Sequence, residues 1–119
     1  MGKVLVADDA SFMRLMIRQI LAKKGYVDIV EADNGLRAVE LYKTARPDLV
    51  LLDITMPELD GLAALAEILA FDSKAKVLIC SAVAQQKMVA EALSRGALDF
   101  IIKPFRPDEL LAIVSKYLD

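Results

Sequence analysis

Histidine is absent from this 119-residue chain. That absence excludes Ser-His and Cys-His nucleophilic catalysis and any His-ligated zinc site. Cysteine occurs once, as Cys80, so no internal disulfide can form. Cys80 sits inside an apolar run, where a buried, unreactive thiol is the ordinary reading. A lone thiol also fits a cytoplasmic protein. Basic residues are not in excess: 15 Lys and Arg stand against 17 Asp and Glu, for a net charge of −2. No basic tract is available to follow a phosphate backbone, so nucleic acid is not an expected partner. No apolar stretch is long enough to span a bilayer, and no membrane association is expected. Met1-Gly2-Lys3 leads straight into a strand without a signal-peptide pattern, and Val6 stands where N-myristoylation needs Ser or Thr. Neither GxxxxGKS/T nor GxGxxG occurs, which leaves nucleotide cradles without support.

What is present is a regular alternation. The composition, 56% hydrophobic and 27% charged, is that of a globular protein with a full core, and the length suits one domain over residues 1–119. Five short apolar runs, 3–7, 27–32, 48–53, 76–81 and 98–102, are predicted strands. Several are apolar almost throughout, as strands covered on both faces must be. The segments 11–24, 35–45, 61–71, 86–95 and 107–118 show helical spacing. In the first, Phe12, Leu15, Met16 and Ile20 fall on an apolar stripe, and Gln19 and Lys23 on a polar one. Gly25 and Gly96 suit helix ends, Pro107 suits a first helical turn, and Pro47 separates a helix from a strand. Asn34-Gly35 lies between a strand and a helix pattern, so it reads as a loop and not as a hairpin. The expected fold is an α/β (βα)5 chain with right-handed crossovers and a doubly wound parallel sheet. The strand order 2-1-3-4-5 is adopted from known folds of this type, not deduced from the strand sequences.

In that order the polar residues ending the runs share one edge. Asp8-Asp9 ends the first, Asp53 the third, Ser81 the fourth and Lys103 the fifth. Ligands of open parallel sheets bind beyond the C-terminal strand ends, at the point where the order reverses. Each residue alone has an ordinary explanation: Asp as a helix cap or turn residue, Ser as a loop residue, Lys as a surface charge. A second acid beside a cap is not needed for capping, however. Three carboxylates about 5 Å apart repel by roughly 3 kcal/mol per pair at an effective dielectric near 20. One lysine cannot neutralise them, whereas a divalent cation can, and an all-oxygen site suits Mg²⁺. Lys103 offers a point charge to a phosphoryl oxygen, and Pro104 after it favours an extended conformation. The Ser81 hydroxyl can donate to the same group.

The pattern Asp8-Asp9, Asp53-Ile54-Thr55-Met56-Pro57-Glu58-Leu59-Asp60-Gly61, Ser81-Ala82 and Lys103-Pro104-Phe105 resembles the receiver domain of two-component response regulators, over the whole chain. Phe12-Met13-Arg14, Cys80-Ser81-Ala82 and Gln85-Gln86 resemble the single-domain chemotaxis branch of that family. The resemblance implies that Asp53 is the phosphoacceptor and that Lys103 and Ser81 act with it. It implies Mg²⁺ ligation by Asp9 directly, by Asp8 through water, by Asp53 and by the Thr55 carbonyl. It also implies a cis bond before Pro104 and a switch pair of Ser81 and Phe100. Ser81 stands where Thr is commoner, and Phe100 where Tyr is usual. Thr55 and Val83 would tune water access.

The implied partners are a histidine kinase, which phosphorylates a monomeric switch, and an output protein, expected to be the flagellar motor switch; a phosphatase also fits. Output would pass through the fourth helix, fifth strand and fifth helix, with Gln86, Lys87, Arg95, Arg106 and Lys116 as surface candidates. A phosphorelay intermediate or a phosphorylation-controlled scaffold is the alternative circuit. A flavodoxin-like binder would need a Ser/Thr/Gly-rich first loop in place of Ala7-Asp8-Asp9-Ala10-Ser11. An aspartyl-phosphate phosphatase would need a second aspartate where Thr55 stands.

Overall fold

The computed structural model describes residues 2–119. Five strands alternate with five helices: β1 (Val4–Ala7), α1 (Ser11–Ala22), β2 (Ile29–Ala32), α2 (Gly35–Ala45), β3 (Leu49–Asp53), α3 (Gly61–Phe71), β4 (Val77–Ala82), α4 (Gln86–Ser94), β5 (Asp99–Lys103) and α5 (Pro107–Leu118). A single 3₁₀ turn, Val83–Gln85, joins β4 to α4. The sheet is parallel with order β2-β1-β3-β4-β5. The ladder runs past the apolar segments, pairing Ser81 with Ile102 and Ala82 with Lys103. Both site residues therefore lie within strands, because ladder hydrogen bonds do not require apolar side chains.

Alternate residues of each strand feed two separate cores. Leu5, Ala7, Val50, Leu52, Val77 and Ile79 face α2, α3 and α4. Val4, Val6, Leu49, Leu51, Leu78 and Cys80 face α1 and α5. Burial of a Leu or Ile side chain is worth about 1.5–3 kcal/mol, and β1 and β3 are buried along their full length. That double packing makes the strand tips a stiff platform.

Helix starts follow local chemistry. The Asn34 side chain accepts from the Arg37 N–H at 2.7 Å to start α2, and Asp60 accepts from the Ala63 N–H at 2.9 Å to start α3. Pro107 occupies the first turn of α5. The α1 stripe departs from expectation: Ile17, Ile20 and Leu21 are buried, while Phe12, Leu15 and Met16 are exposed. Apolar residues occupy more of the circumference of α1 than its one packed face can cover.

Gly35 is dictated by close approach. A Cβ there would collide with the carbonyl group of Leu59, so the loop after β3 lies directly against the start of α2. Gly61 is similar, with the backbone of Asp53 and Ile54 in the place a Cβ would take. The loop carrying Thr55 is thus pinned at both ends.

Candidate functional site

Strand order brings β1 and β3 side by side, and their tips carry the acids. Asp8 follows β1, and its N–H donates to the Ala32 carbonyl at 3.0 Å, continuing the ladder to β2. Its Oδ1 accepts from the Ala10 N–H at 2.9 Å. The residue capping α1 is Ala10, with no side-chain cap. Asp9 therefore has no capping duty, and it is exposed beside buried Asp8. Asp53 is the last residue of β3 and is buried. Carboxylate oxygens of Asp8, Asp9 and Asp53 all lie within 4.8 Å of one another.

Lys103, at the tip of β5, reaches past β4 to these acids. Its Nζ is 2.6 Å from Asp8 Oδ2 and 3.4 Å from Asp53 Oδ1. The Lys103–Pro104 peptide bond is cis. Burial pushes the Asp53 carboxyl up; the Lys103 charge opposes this, the Asp8 charge adds to it, and the net position is above the ordinary value. Burial alone would lower the Lys103 ammonium, but the Asp8 hydrogen bond and the Asp53 charge carry it above its ordinary value. Lysine is therefore a cation here at any physiological pH.

Ser81 lies under the same edge, fully buried, and its Oγ has no hydrogen-bond partner. A buried polar atom without a partner is uncommon and costs about 1–3 kcal/mol. Phe100, on β5, is about two-fifths exposed. It lines an apolar cleft of about 310 Å³ together with Gln86, Val89, Ala90, Leu93 and Ile102. Thr55 is exposed on the loop after β3, and its hydroxyl accepts from the Gln85 side chain. Gln86, Lys87, Arg95 and Arg106 are exposed, as is Lys116 by its side chain. Cys80 is buried, and that burial pushes its thiol up to about 12.

Three residues make contacts that have no counterpart in the sequence pattern. Arg14 NH1 donates to the Asp8 carbonyl oxygen at 2.6 Å while its Nε donates to Glu31 at 2.9 Å. Arg18 holds the other Glu31 oxygen at 2.6 Å. Burial alone would raise the Glu31 carboxyl, yet the hydrogen bonds from Arg18 and Arg14 hold it below the usual range. This network braces the acidic turn against β2. The third residue is Gln85, whose carboxamide bonds both Thr55 and the Ala82 N–H.

The donor set fits a hard divalent cation. Three carboxylates and one ammonium leave two negative charges, all candidate ligands are oxygens, and exposed Asp9 opens the cluster to water. Mg²⁺ prefers few carboxylates and several retained waters. Asp8, Asp9 and Asp53 could hold it; Lys103, a cation, could not, and is placed for an anion instead.

The sequence pattern described as "Response regulator receiver domain" matches residues 4–115. The chain belongs to the response regulator receiver domains. It is 51% identical over 117 residues to the chemotaxis protein CheY of Bacillus subtilis, covering 98% of each chain. The CheY of Thermotoga maritima is likewise 51% identical over 117 residues, with the same coverage. Among solved structures, the CheX-CheY-BeF3-Mg²⁺ complex from Borrelia burgdorferi matches with a TM-score of 0.90 and 36% identity, over 98% of this chain and 90% of that one. CheY is itself a standard example of the 2-1-3-4-5 order. Receiver domains bind Mg²⁺ at an acidic pocket, and this chain has the Asp8, Asp9 and Asp53 cluster. Among the described residues, no helix is long and apolar enough to cross a membrane.

Proposed function

We propose that this receiver domain, spanning residues 1–119, is a cytoplasmic, monomeric phosphorylation switch in chemotaxis, with Asp53 as phosphoacceptor. One observation carries the reading: a buried carboxylate at a strand tip shares a lysine with a second buried carboxylate, and a third lies within 4.8 Å. Added positive charge relieves the repulsion within such a cluster, and the cluster presents a nucleophile beside a cation that can hold an oxyanion.

In the proposed reaction an Asp53 oxygen attacks the phosphorus of a kinase phosphohistidine. The new O–P bond forms as the P–N bond breaks, and the imidazole leaves with the electron pair. Transfers of this kind depend mainly on positioning and on neutralising the equatorial oxygens. Lys103 supplies one charge to those oxygens. Asp8, Asp9, Asp53 and the Thr55 carbonyl are the groups that would hold Mg²⁺, which when bound supplies further positive charge there. Asp8 also orients Lys103, through the 2.6 Å contact. Thr55 and Val83 flank the site and limit water access, so the chain governs the hydrolysis of its own anhydride.

Output follows from Ser81. Its unpartnered hydroxyl gains an acceptor when a phosphoryl oxygen arrives, which draws Ser81 inward and frees space for the Phe100 ring. The Phe100 cleft between α4 and β5 then changes shape, and with it the α4-β5-α5 face. That face is proposed to bind a flagellar motor switch protein, with a histidine kinase upstream and a phosphatase to reset the system.

Acetyl phosphate with MgCl2, read by intact-mass spectrometry, tests the acceptor. The wild type should gain one phosphoryl group and Asp53→Asn none; equal labelling of both refutes the assignment. Lys103→Ala should leave Mg²⁺ binding largely in place while uncoupling phosphorylation from partner binding.

A further inference from the structure

Two segments leave the strand tips of the candidate site, after β3 and after β4, and among the described residues one side chain links them by hydrogen bonds. Gln85 Oε1 accepts from the Ala82 N–H at 2.8 Å. Its Nε2 donates to the Thr55 hydroxyl, thirty residues away in sequence. The amide orientation is fixed by chemistry, because only the carbonyl end can face the Ala82 N–H. The 3₁₀ turn Val83–Gln85 brings the side chain back over the end of β4. Gln85 is half-buried, whereas Thr55, Ala82 and Val83 are exposed. The carboxamide therefore spans the gap between the loop after β3 and the turn after β4.

We propose that Gln85 is a positioning residue that latches the resting site, slowing both entry of the phosphoryl group and its loss. The proposal rests on Asp53 being the phosphoacceptor. Ser81 immediately precedes Ala82, and its unpartnered hydroxyl is the group that gains from moving. Ser81 cannot shift without its neighbour, and the Ala82 N–H is tied through Gln85 to Thr55. That loop is in turn held by the close approach of Leu59 to Gly35 and of Ile54 to Gly61. The latch thus ties the moving segment to a fixed one. Thr55 lies two residues after Asp53, and Ala82 directly follows Ser81, so the bridge joins the two segments that leave the acceptor strand tips, and holding them together limits access for small phosphodonors and for water alike. An ordinary net hydrogen bond shifts an equilibrium by about three- to tenfold. Losing the bridge should therefore speed labelling and hydrolysis by about that factor, with steady-state occupancy changing less.

The variants are Gln85→Met, which keeps length without hydrogen bonds, Thr55→Val, which removes the hydroxyl, and Thr55→Ser, which keeps it. The first readout needs no phosphodonor: amide exchange of Ala82 by NMR should quicken severalfold in Q85M and T55V and stay at the wild-type rate in T55S, with Ile79 in mid-strand unchanged. The second is labelling by acetyl phosphate and subsequent loss of the group. Both rates should rise about three- to tenfold in Q85M and T55V, and rise no further in the Q85M/T55V double variant. Unchanged Ala82 exchange in Q85M overturns the bridge. Faster exchange with labelling and loss within twofold of wild type overturns the gating role while leaving the acceptor assignment intact. A wild type that takes up no phosphoryl group overturns the acceptor assignment, and the gating role falls with it.

Discussion

Asp53→Asn should make the metal-free protein more stable. At the 4.8 Å limit and an effective dielectric near 20, Asp8 and Asp9 each repel Asp53 by about 3.5 kcal/mol. Lys103, at 3.4 Å, attracts it by about 5 kcal/mol on the same scale. The sum is about 2 kcal/mol unfavourable, and water screening of exposed Asp9 reduces it to about 1–2 kcal/mol. Burial of the charge acts in the same direction, in keeping with a carboxyl held above its ordinary value. The sign follows from linkage. A carboxyl raised on folding contributes stability below its unfolded value and loses it as pH rises through the folded one. At neutral pH Asp53 is past that loss, and the isosteric amide avoids it. Urea titration in EDTA should place Asp53→Asn about 1–2 kcal/mol above the wild type. As pH falls below the unfolded carboxyl range the gap should close, because Asp53 is then neutral in both states. Added Mg²⁺ should also narrow it: at ten times its dissociation constant the cation stabilises the wild type by about 1.4 kcal/mol, and a site lacking one carboxylate gains less. A variant less stable than wild type in EDTA, or one that gains equally from Mg²⁺, would refute the electrostatic account.

Ser81→Ala should match or exceed wild-type stability by up to about 1–3 kcal/mol in urea melts, since it deletes a buried hydroxyl that has no partner. The same variant should fail to shift the Phe100 ring resonances after phosphorylation. Gly35→Ala should lower the melting temperature, because a backbone carbonyl occupies the position of the new methyl; overpacking of this kind costs about 1–3 kcal/mol. Cys80 should resist thiol reagents in the folded state: a thiol moved from 9.0 to about 12 carries roughly a thousandfold less thiolate, so labelling rates should track unfolding. Burial and then the Asp72 hydrogen bond push the Tyr42 phenol up to about 12. Its stabilising contribution is complete below the ordinary value of 10.0 and is lost as pH rises towards about 12. Tyr42→Phe should flatten that part of the alkaline stability profile.

The strands and their tips were legible because both sheet faces are covered. Uniformly apolar runs such as Leu49-Val50-Leu51-Leu52 leave little choice of element, and a polar residue at each end marks where coverage stops. Helices α2, α3 and α5 were legible to the residue, since Asn34, Asp60 and Pro107 fix their starts by local chemistry. The packed face of α1 was not. Two apolar stripes overlap there, and the choice of Ile17, Ile20 and Leu21 over Phe12, Leu15 and Met16 depends on which neighbours the helix meets. At the site, side chains of like function at equivalent strand ends could be grouped without coordinates. Arg14 could not be placed, because it is drawn to a main-chain oxygen of Asp8, which leaves no mark in sequence. Gln85 was opaque for a related reason: its partner Thr55 is near only through the pairing of β3 with β4.

The strand tips present two deficits of opposite character. The three acids lack positive charge, since Lys103 balances only one of them. Ser81 lacks an acceptor, and no acceptor among the acids is bonded to it. A cation alone relieves the first and leaves the hydroxyl unsatisfied. An anion alone supplies the acceptor and worsens the charge. Only a cation bound together with an oxyanion meets both needs, and the oxyanion must lie within reach of Lys103, Asp53 and Ser81 at once. A phosphoryl group on Asp53 beside a divalent cation has that composition. The stiffness of the doubly packed sheet matters here, because a softer platform would let the acids separate and Ser81 turn to solvent. Held in place, the tips keep both deficits until the pair arrives, and the free energy then released is available to move the segment that follows Ser81.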